Sequence, residues 1–321
     1  MKNSPVSATA WPELPYTDWT DTLATLHMWT QIVGKVRLTL SPWLNQSWHV
    51  TSYVTARGMT TSVIPYGSRL FQIEFDFINH ALIIAVNDGQ TRTLPLEPRT
   101  VADFYDKLMA SLDSLGISAQ IHASPNEVEV AIPFAEDTAH KTYDKQQATL
   151  LWKALVQSAR VFGEFRARFI GKCSPVHFYW GSFDLAVTRF SGNSAPAHPG
   201  GAPHCPDWVM DEAYSEEVSS AGFWPGNAEA PEPIFYSYAY PTLDGFAGSA
   251  VGPDAAFWLA ELGEFALPYE AVRSSKDPDA TLTKFLQSTY VAAADMAGWD
   301  RANLERPAGY TPTNPSGSGR N

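Results

Sequence analysis

The sequence has few charged residues and even fewer basic ones. Charged residues make up 17% of the 321 positions, and 22 lysines and arginines stand against 34 aspartates and glutamates, a net charge of −12. Binding to nucleic acids and to anionic membranes both depend on basic surface. The shortage of basic residues therefore predicts a protein that has no nucleic-acid partner.

Cysteine is also scarce. The two residues, Cys173 and Cys205, are too few for a disulfide framework, and the first fifteen residues, MKNSPVSATAWPELP, lack the apolar stretch of a signal peptide. The most apolar run, ALIIAV at 81–86, is far shorter than the ~18 residues that a membrane-spanning helix requires. We therefore expect a cytoplasmic protein that does not enter the membrane.

Several common catalytic motifs are absent. The sequence contains no Gly-x-Ser-x-Gly, no Gly-x-Gly-x-x-Gly, no Walker-type loop, no His-Glu-x-x-His and no Cys-x-x-Cys. These motifs mark familiar hydrolases, nucleotide and dinucleotide enzymes, zinc peptidases and thiol-redox proteins. Their absence disfavours those classes, and the sequence identifies neither a cofactor nor a reaction, so the cofactor is unknown.

Hydrophobic and aromatic residues, in contrast, are plentiful. They account for 45% and 13% of the chain, which is enough for a large core. Apolar positions at helical spacing predict a first helix from Thr17 or Asp18 to Gly34. From Lys35 the period changes to two, which predicts a hairpin over 35–54. Four further strands are expected at 59–64, 70–78, 80–87 and 90–96.

The rest of the chain alternates helices with hairpins. Helical patterns cover 101–116, 142–170 and 279–298, and hairpin patterns cover 117–132 and 176–190. Helices that alternate with antiparallel hairpins are typical of the α+β class. We therefore predict an α+β fold, an antiparallel sheet of hairpins with three main helices.

The segment 191–253 has a different composition. Pro, Gly, Ala and Ser dominate it, yet it carries nine large aromatic residues, which a flexible linker would not. We expect a long, irregular but ordered excursion that packs over the hairpin at 176–190, within a single domain from 11 to 305. The polar tail, 307–321, is expected to be disordered, and the expected assembly is a monomer or a weak dimer.

Several stretches resemble segments of an uncharacterised family. They are WPELPYTDWTDTLATLHMWTQIVGKVRL at 11–38, SPVHFYWGSFDLAVTRFSG at 174–192, EAYSEEVSSAGFWPG at 212–226 and FYSYAYP at 235–241. With these residues, and over about 11–305, the chain resembles a bacterial family of domains of unknown function. The resemblance implies membership of that family, and it implies no activity and no site residues.

The densest combination of aromatic and ionisable residues is VHFYWGSFDLAVTRF at 176–190. We predict a ligand site between this hairpin, AGFWPG at 221–226 and FYSYAYP at 235–241. Rigid aromatic walls with a few fixed ionisable groups are typical of small-molecule pockets. The candidate residues are Trp180, Trp224 and Tyr238 as walls, and His177, Asp184, Arg189 and Glu217 as polar contacts.

Two other polar groups allow more than one interpretation. His27, Gln31 and Lys35 lie four residues apart along the first predicted helix and its exit, so they can reach one ligand or form a solvated stripe. Metal-ligating residue types also occur between His198 and Glu212, but their spacing fits no established metal site. We predict no metal site there.

Three functions are compatible with these patterns. The favoured one is a small-molecule ligand bound in an aromatic-lined pocket, without specified catalysis. An enzyme that uses general acid–base chemistry on a small organic substrate would additionally need perturbed, mutually hydrogen-bonded ionisable groups in the pocket. A protein-interaction module would instead display its aromatic residues as a flat exposed patch.

Overall fold

The structure is a computed structural model that describes residues 10–14 and 16–307. Beyond Pro307, the tail predicted to be disordered lies outside the described residues. The helices are α1 Tyr16–Leu40, α2 Val101–Ser114, α3 Lys145–Ala167, α4 Asp207–Ala213, α5 Tyr269–Arg273, α6 Pro278–Met296 and α7 Arg301–Leu304. Together with two antiparallel sheets they confirm the α+β class.

The first sheet forms in the region where strands were predicted at 59–64, 70–78, 80–87 and 90–96, and a short strand at 53–54 precedes them. Its strands are β1 Tyr53–Val54, β2 Gly58–Thr60, β3 Ile64–Tyr66, β4 Arg69–Asp76, β5 Ala81–Val86 and β6 Thr91–Pro95. The order is β1-β2-β4-β5-β6, with β3 also paired to β4. The alternating burial along β4 and β5 matches the period of two from which these strands were predicted.

Helix α1 is longer than the sequence pattern indicated. Gly34 does not end it, and the predicted hairpin at 35–54 is wrong, because the helix continues to Leu40. Val33, Val36 and Leu40 also satisfy helical spacing and pack on the core. The glycine serves close packing here: a Cβ at Gly34 would overlap the indole ring of Trp180.

The predicted hairpin at 117–132 is also wrong. This segment is irregular because its backbone bonds elsewhere: the Asn126 N–H donates to Gln31 Oε1 at 2.8 Å and the Glu127 N–H donates to the Pro203 carbonyl at 2.8 Å. It therefore lies along α1 and does not pair with itself.

The second sheet contains much of the segment predicted to be irregular. Its strands are β7 His177–Tyr179, β8 Asp184–Ser194, β9 Glu216–Trp224, β10 Ile234–Tyr240, β11 Phe257–Leu259 and β12 Glu264–Pro268, in the order β11-β12-β10-β9-β8-β7. The excursion does contact the hairpin at 176–190, but it does so as regular strands. The expectation of an irregular 191–253 segment is therefore corrected.

The two faces of the second sheet have different environments. Odd-numbered residues of β8 and β9 face helices α3 and α6, as the buried Val187, Arg189 and Phe223 do. Even-numbered residues point to the opposite face, where no long helix covers the centre of the sheet. That face carries polar side chains and forms the candidate site.

Within the described part of the chain, no helix combines the length and the apolar character needed to cross a bilayer.

Candidate functional site

The uncovered face of the second sheet encloses a cavity of about 170 Å³ with a wall of tyrosines. Period two places Asp184 on β8, Ser220 on β9 and both Tyr236 and Tyr238 on β10 toward this face. We call this space the tyrosine cavity; its other lining residues include Gln46, Trp48, Tyr179, Ser182, Thr188, Phe190 and Tyr214.

Tyr236 reaches Asp184 across a neighbouring strand. Gly222 on β9 lies between them, and a Cβ at this position would overlap the Tyr236 ring and hydroxyl. With glycine there, the Tyr236 hydroxyl donates a hydrogen bond to Asp184 Oδ2. The Ser182 hydroxyl donates a hydrogen bond to the other carboxylate oxygen, Asp184 Oδ1, at 2.5 Å. The carboxylate is thus held by two hydroxyl donors, one from the turn between β7 and β8 and one from strand β10.

The hydroxyl groups that line the cavity stay protonated. The hydroxyls of Tyr214 and Tyr238 lie 2.8 Å apart, and those of Thr188 and Ser220 lie 2.9 Å apart. Burial raises the pKa of Tyr214, Tyr236 and Tyr238, and that of Tyr179 likewise. At neutral pH these groups are neutral hydrogen-bond donors or acceptors.

Asp184 supplies the cavity's ionisable carboxylate. It is 6% exposed, and burial raises its pKa, against the lowering effect of the Ser182 and Tyr236 hydroxyls. No lysine or arginine is among the described residues that line the cavity. Farther along the same face, burial and then the charge of Asp184 raise the pKa of Glu264 to about 7. The site is therefore electronegative and lacks a built-in counter-ion.

Helix α4 and the turn at 45–47 cover the mouth of this cavity. The Trp43 indole N–H donates to Glu212 Oε2 at 2.9 Å, and Gln46 Nε2 donates to the Ser215 hydroxyl at 3.3 Å. On the inner side, the ring of His198 stacks on Tyr214 at a centroid distance of 4.5 Å. The segment 191–215 thus contributes to the wall of the cavity, through Ala213 and Tyr214.

Three of the seven predicted ligand-site residues lie in or beside this cavity. Asp184 and Tyr238 line it, and His177 lies behind Tyr179, with Nδ1 3.4 Å from the Tyr179 hydroxyl and Nε2 3.4 Å from that of Tyr53. Burial, followed by the charges of Arg37 and Arg166, lowers the pKa of His177 to about 3. His177 is therefore a neutral support for the tyrosine wall.

Three other predicted residues lie away from the cavity. Trp180 points to the opposite side, where its indole N–H donates to the Val50 carbonyl at 2.7 Å. Arg189 is buried beneath the sheet, and its guanidinium donates to the Phe165 carbonyl. Glu217 accepts hydrogen bonds from the Ser191 hydroxyl at 2.8 Å and from Asn193 at 3.2 Å. The structure does not bring these three side chains to the tyrosine cavity.

The seventh residue, Trp224, lines a separate and larger space. This space, which we call the α1 cavity, has a volume of about 740 Å³ and lies between helix α1, the segment 127–132, the turn at 181–183 and the loop 226–229. Of the stripe formed by His27, Gln31 and Lys35, His27 lines this cavity, and the other two continue along α1 outside its lining. His27 Nε2 lies 2.8 Å from the Gly181 carbonyl, Gln31 donates to the Asn126 carbonyl at 2.8 Å, and Lys35 donates to the Asn126 side chain.

The α1 cavity also contains an oriented imidazole and a buried carboxyl group. His140 Nδ1 lies 2.7 Å from Oδ2 of the buried Asp137, whose other oxygen accepts the backbone N–H groups of residues 139 and 140. This leaves His140 Nε2 for another partner. Burial, and then the charge of Asp184, raise the pKa of Glu127 to about 7. The Glu127 carboxylate lies against Gly181, where a Cβ would overlap it.

Replacing Glu127 with glutamine should change how stability depends on pH. The unfolded glutamate loses its proton near pH 4.5, whereas the folded one keeps it up to about pH 7. The folded state therefore holds the extra proton in this window, and the free energy of unfolding falls as the pH rises through it. We expect Glu127→Gln to be more stable than the wild type by about 2 kcal/mol at pH 8, and nearly equal to it at pH 4.5.

Urea unfolding of both proteins at the two pH values measures that difference. Titrating groups that do not interact with Glu127 contribute equally to both proteins, so the difference between the two curves reports Glu127 together with its coupling to Asp184. A gap that is the same at pH 4.5 and pH 8 would contradict the assignment of a raised pKa to this carboxyl.

One part of the tyrosine cavity could have been predicted from the spacing of tyrosines in the sequence. Tyr236, Tyr238 and Tyr240 alternate in FYSYAYP, and a period of two places them on one face of a strand. Trp48 and Tyr214 had no such signal, since they reach the cavity through tertiary contacts. No cluster of three or more metal-ligating side chains occurs among residues 10–14 and 16–307, and burial raises the pKa of both cysteines to about 11.

Comparison with known proteins gives one match. A model of a family described as being of unknown function, DUF5996, matches residues 11–306. No curated protein and no solved structure matches the chain. The family match confirms the resemblance drawn from the segments at 11–38, 174–192, 212–226 and 235–241, and it supplies no activity.

Proposed function

We propose a function from the cavity alone, because the chain belongs to DUF5996, a family of unknown function. The function is the binding of a small organic cation in the tyrosine cavity, with the Asp184 carboxylate as its counter-ion. It is a sharper form of the small-molecule binding predicted from the sequence. The tyrosine rings form the walls, and their hydroxyls fix the orientation of the ligand.

The observation that carries this proposal is a buried carboxylate whose described partners are neutral hydroxyls. A buried charge is costly unless an opposite charge or several hydrogen bonds compensate it. Ser182 and Tyr236 compensate Asp184 in part, but its pKa is still raised by burial. A bound cation supplies the missing charge, and the faces of surrounding tyrosine and tryptophan rings attract cations.

The same geometry favours binding over the two alternatives. Asp184 supplies the ionisable carboxyl group of this cavity, and burial raises its pKa, whereas the tyrosines keep their protons. An acid–base enzyme needs a matched second group at the reacting atoms. An interaction module needs a flat aromatic patch, whereas Tyr214, Tyr236 and Tyr238 line a concave space. Among the described residues, Trp43, Trp208 and Phe257 are the exposed aromatic exceptions.

The setting we propose for this activity is the cytoplasm of a bacterium. The absence of a disulfide between the two free cysteines is compatible with a reducing compartment. The net charge of −12 supports an interaction with cations and opposes one with nucleic acids. We also propose that the protein is a monomer or a weak dimer, and that residues 11–305 form a single domain.

The test compares a cation with an uncharged molecule of the same shape. Calorimetric titration at pH 7.5 would use choline and n-butylammonium as quaternary and primary cations, and 3,3-dimethylbutan-1-ol as the neutral counterpart of choline. We expect at least one cation to bind ten or more times more tightly than the alcohol. In Asp184→Asn this preference should disappear while the melting temperature is unchanged or higher, because a buried charge has been removed.

Glu217→Gln is the matched control. It removes the same charge from the neighbouring strand β9, outside the cavity, and it should leave the affinity unchanged. The affinity of the wild type should also fall at acidic pH, as Asp184 takes up a proton. Equal binding of the cation and the alcohol, failure of both cations to bind, or full cation binding by Asp184→Asn would each refute the proposal.

A further inference from the structure

The α1 cavity has the size and the walls of a small-molecule site and is separate from the tyrosine cavity. Its volume of about 740 Å³ lies within the range of roughly 300–1,000 Å³ that such sites occupy. Helix α1 contributes Leu23 and Met28, and the opposite wall contributes aliphatic side chains from 128–132. Phe183 and Trp224 add two aromatic rings. An occupant therefore meets mostly apolar and aromatic surface.

Two imidazole nitrogens in this cavity can accept hydrogen bonds. His27 Nε2 lies 2.8 Å from the Gly181 carbonyl, so it carries the proton and leaves Nδ1 as the acceptor. His140 is held in the corresponding way by Asp137 through Nδ1, which leaves Nε2 as the acceptor. The site therefore favours a ligand that donates hydrogen bonds.

The charges at the cavity disfavour an anion. Glu127, Glu129 and Glu229 line it, and no lysine or arginine does so among the residues that the structure describes. A negatively charged ligand would meet three carboxyl groups and no compensating cation. The occupant is accordingly not an organic acid or a phosphate.

The backbone at this site is strained at two positions. Glu127 and Phe183, both of which line the cavity, have φ values of +56° and +61°. Such left-handed conformations of residues other than glycine are energetically unfavourable, so the surrounding structure must hold them in place, and they concentrate at functional sites. Here they aim the Glu127 carboxyl group at Gly181 and place the Phe183 ring 5.0 Å from that of His27.

From these observations we infer that the α1 cavity is a second binding site, which takes an aromatic molecule that donates hydrogen bonds and carries no negative charge. Phe183 and Trp224 provide the ring contacts, and the free nitrogens of His27 and His140 accept the ligand's hydrogen bonds. This inference does not depend on the proposed cation site, because its contacts come from another face of the turn at 181–183.

Three indoles test the inference by calorimetric titration. 5-Hydroxyindole is neutral and has two donors, 1-methylindole lacks donors, and indole-3-acetate is an anion. We expect 5-hydroxyindole to bind with a dissociation constant below about 1 mM, and the other two to bind at least tenfold more weakly. His140→Phe should reduce the affinity for 5-hydroxyindole at least tenfold, since the ring volume stays and the acceptor is lost.

Filling the cavity provides a second, independent variant. Ala24→Trp on helix α1 and Ala228→Trp on the facing loop both place an indole ring in the space, so that one of them serves if the other fails to fold. Either folded variant should abolish binding, whereas Asp184→Asn should leave it unchanged. Absence of binding by 5-hydroxyindole, equal affinity for all three indoles, or unchanged binding in a folded filled variant would overturn the inference.

Discussion

Gly34→Ala is expected to destabilise the protein by about 3 kcal/mol or more, although alanine is the better helix former. Gly34 lies in the interior of α1, and an added methyl group there would overlap the Trp180 indole. The indole cannot move freely, because it is 6% exposed and donates to the Val50 carbonyl. The overlap must therefore displace the helix or the hairpin at 176–190.

Gly163→Ala in α3 is the matched control and should have the opposite sign. Gly163 also lies inside a long helix, but apart from its chain neighbours and the nearby backbone of the helix, no atom lies within 4 Å of the position that its Cβ would take. Only the helix propensity changes there, so we expect a gain of about 0.5–1 kcal/mol. Urea unfolding of both variants gives the comparison. Gly34→Ala with a stability at or above that of the wild type would show that Trp180 is loosely packed.

Arg189→Ala is the second substitution from which we expect a large effect on stability, about 3 kcal/mol or more. The guanidinium carbon lies 3.4 Å from the centroid of the Phe165 ring and 4.2 Å from that of Tyr290. Truncation to alanine leaves a cavity beneath the sheet and removes the hydrogen bond to the Phe165 carbonyl. Burial also lowers the pKa of this arginine to about 10, which reflects an unfavourable environment for its charge.

Arg189→Met separates the volume of this side chain from its charge. Methionine fills similar space without a buried charge, so this variant should lie within about 1.5 kcal/mol of the wild type. Thermal and urea unfolding measure both variants, and titration of Arg189→Met with choline measures binding. We expect unchanged affinity, because Arg189 faces α3 and α6. A loss of choline binding in a stable Arg189→Met would restore the role predicted for this residue from the sequence.

Local patterns predicted those parts of the fold that depend on local interactions. Strands β4 and β5 and helix α2 have clear periods, and caps such as Thr100, which accepts the Asp103 N–H, begin helices where expected. The errors arose where a distant residue decided the conformation. Gly34 has the local signature of a helix end, but the Trp180 ring, far along the chain, explains why glycine stands there. No local pattern contains that information.

The site was predicted only in part, again because contacts between distant segments decide which side chains meet. The sequence placed it beside the hairpin at 176–190, and Asp184 and Tyr238 do line one cavity. Arg189 was wrongly included because the prediction did not apply the alternation of side chains along a strand. Residues 184 and 189 are an odd number of positions apart, so their side chains point to opposite faces of β8. The participation of Trp48 and Tyr214 depends on α4 and the turn at 45–47 packing together, which no period reveals.

The turn at 181–183 is a partition that both cavities share. Its two side chains face the cavities differently: Ser182 lines both cavities and donates to Asp184, while the Phe183 ring lies 5.0 Å from that of His27 in the α1 cavity. A displacement of this turn that enlarges one cavity reduces the other. Any effect of an occupant of one cavity on the affinity of the other must be equal in both directions, by thermodynamic linkage. The partition thus couples the two cavities wherever a bound ligand displaces this turn.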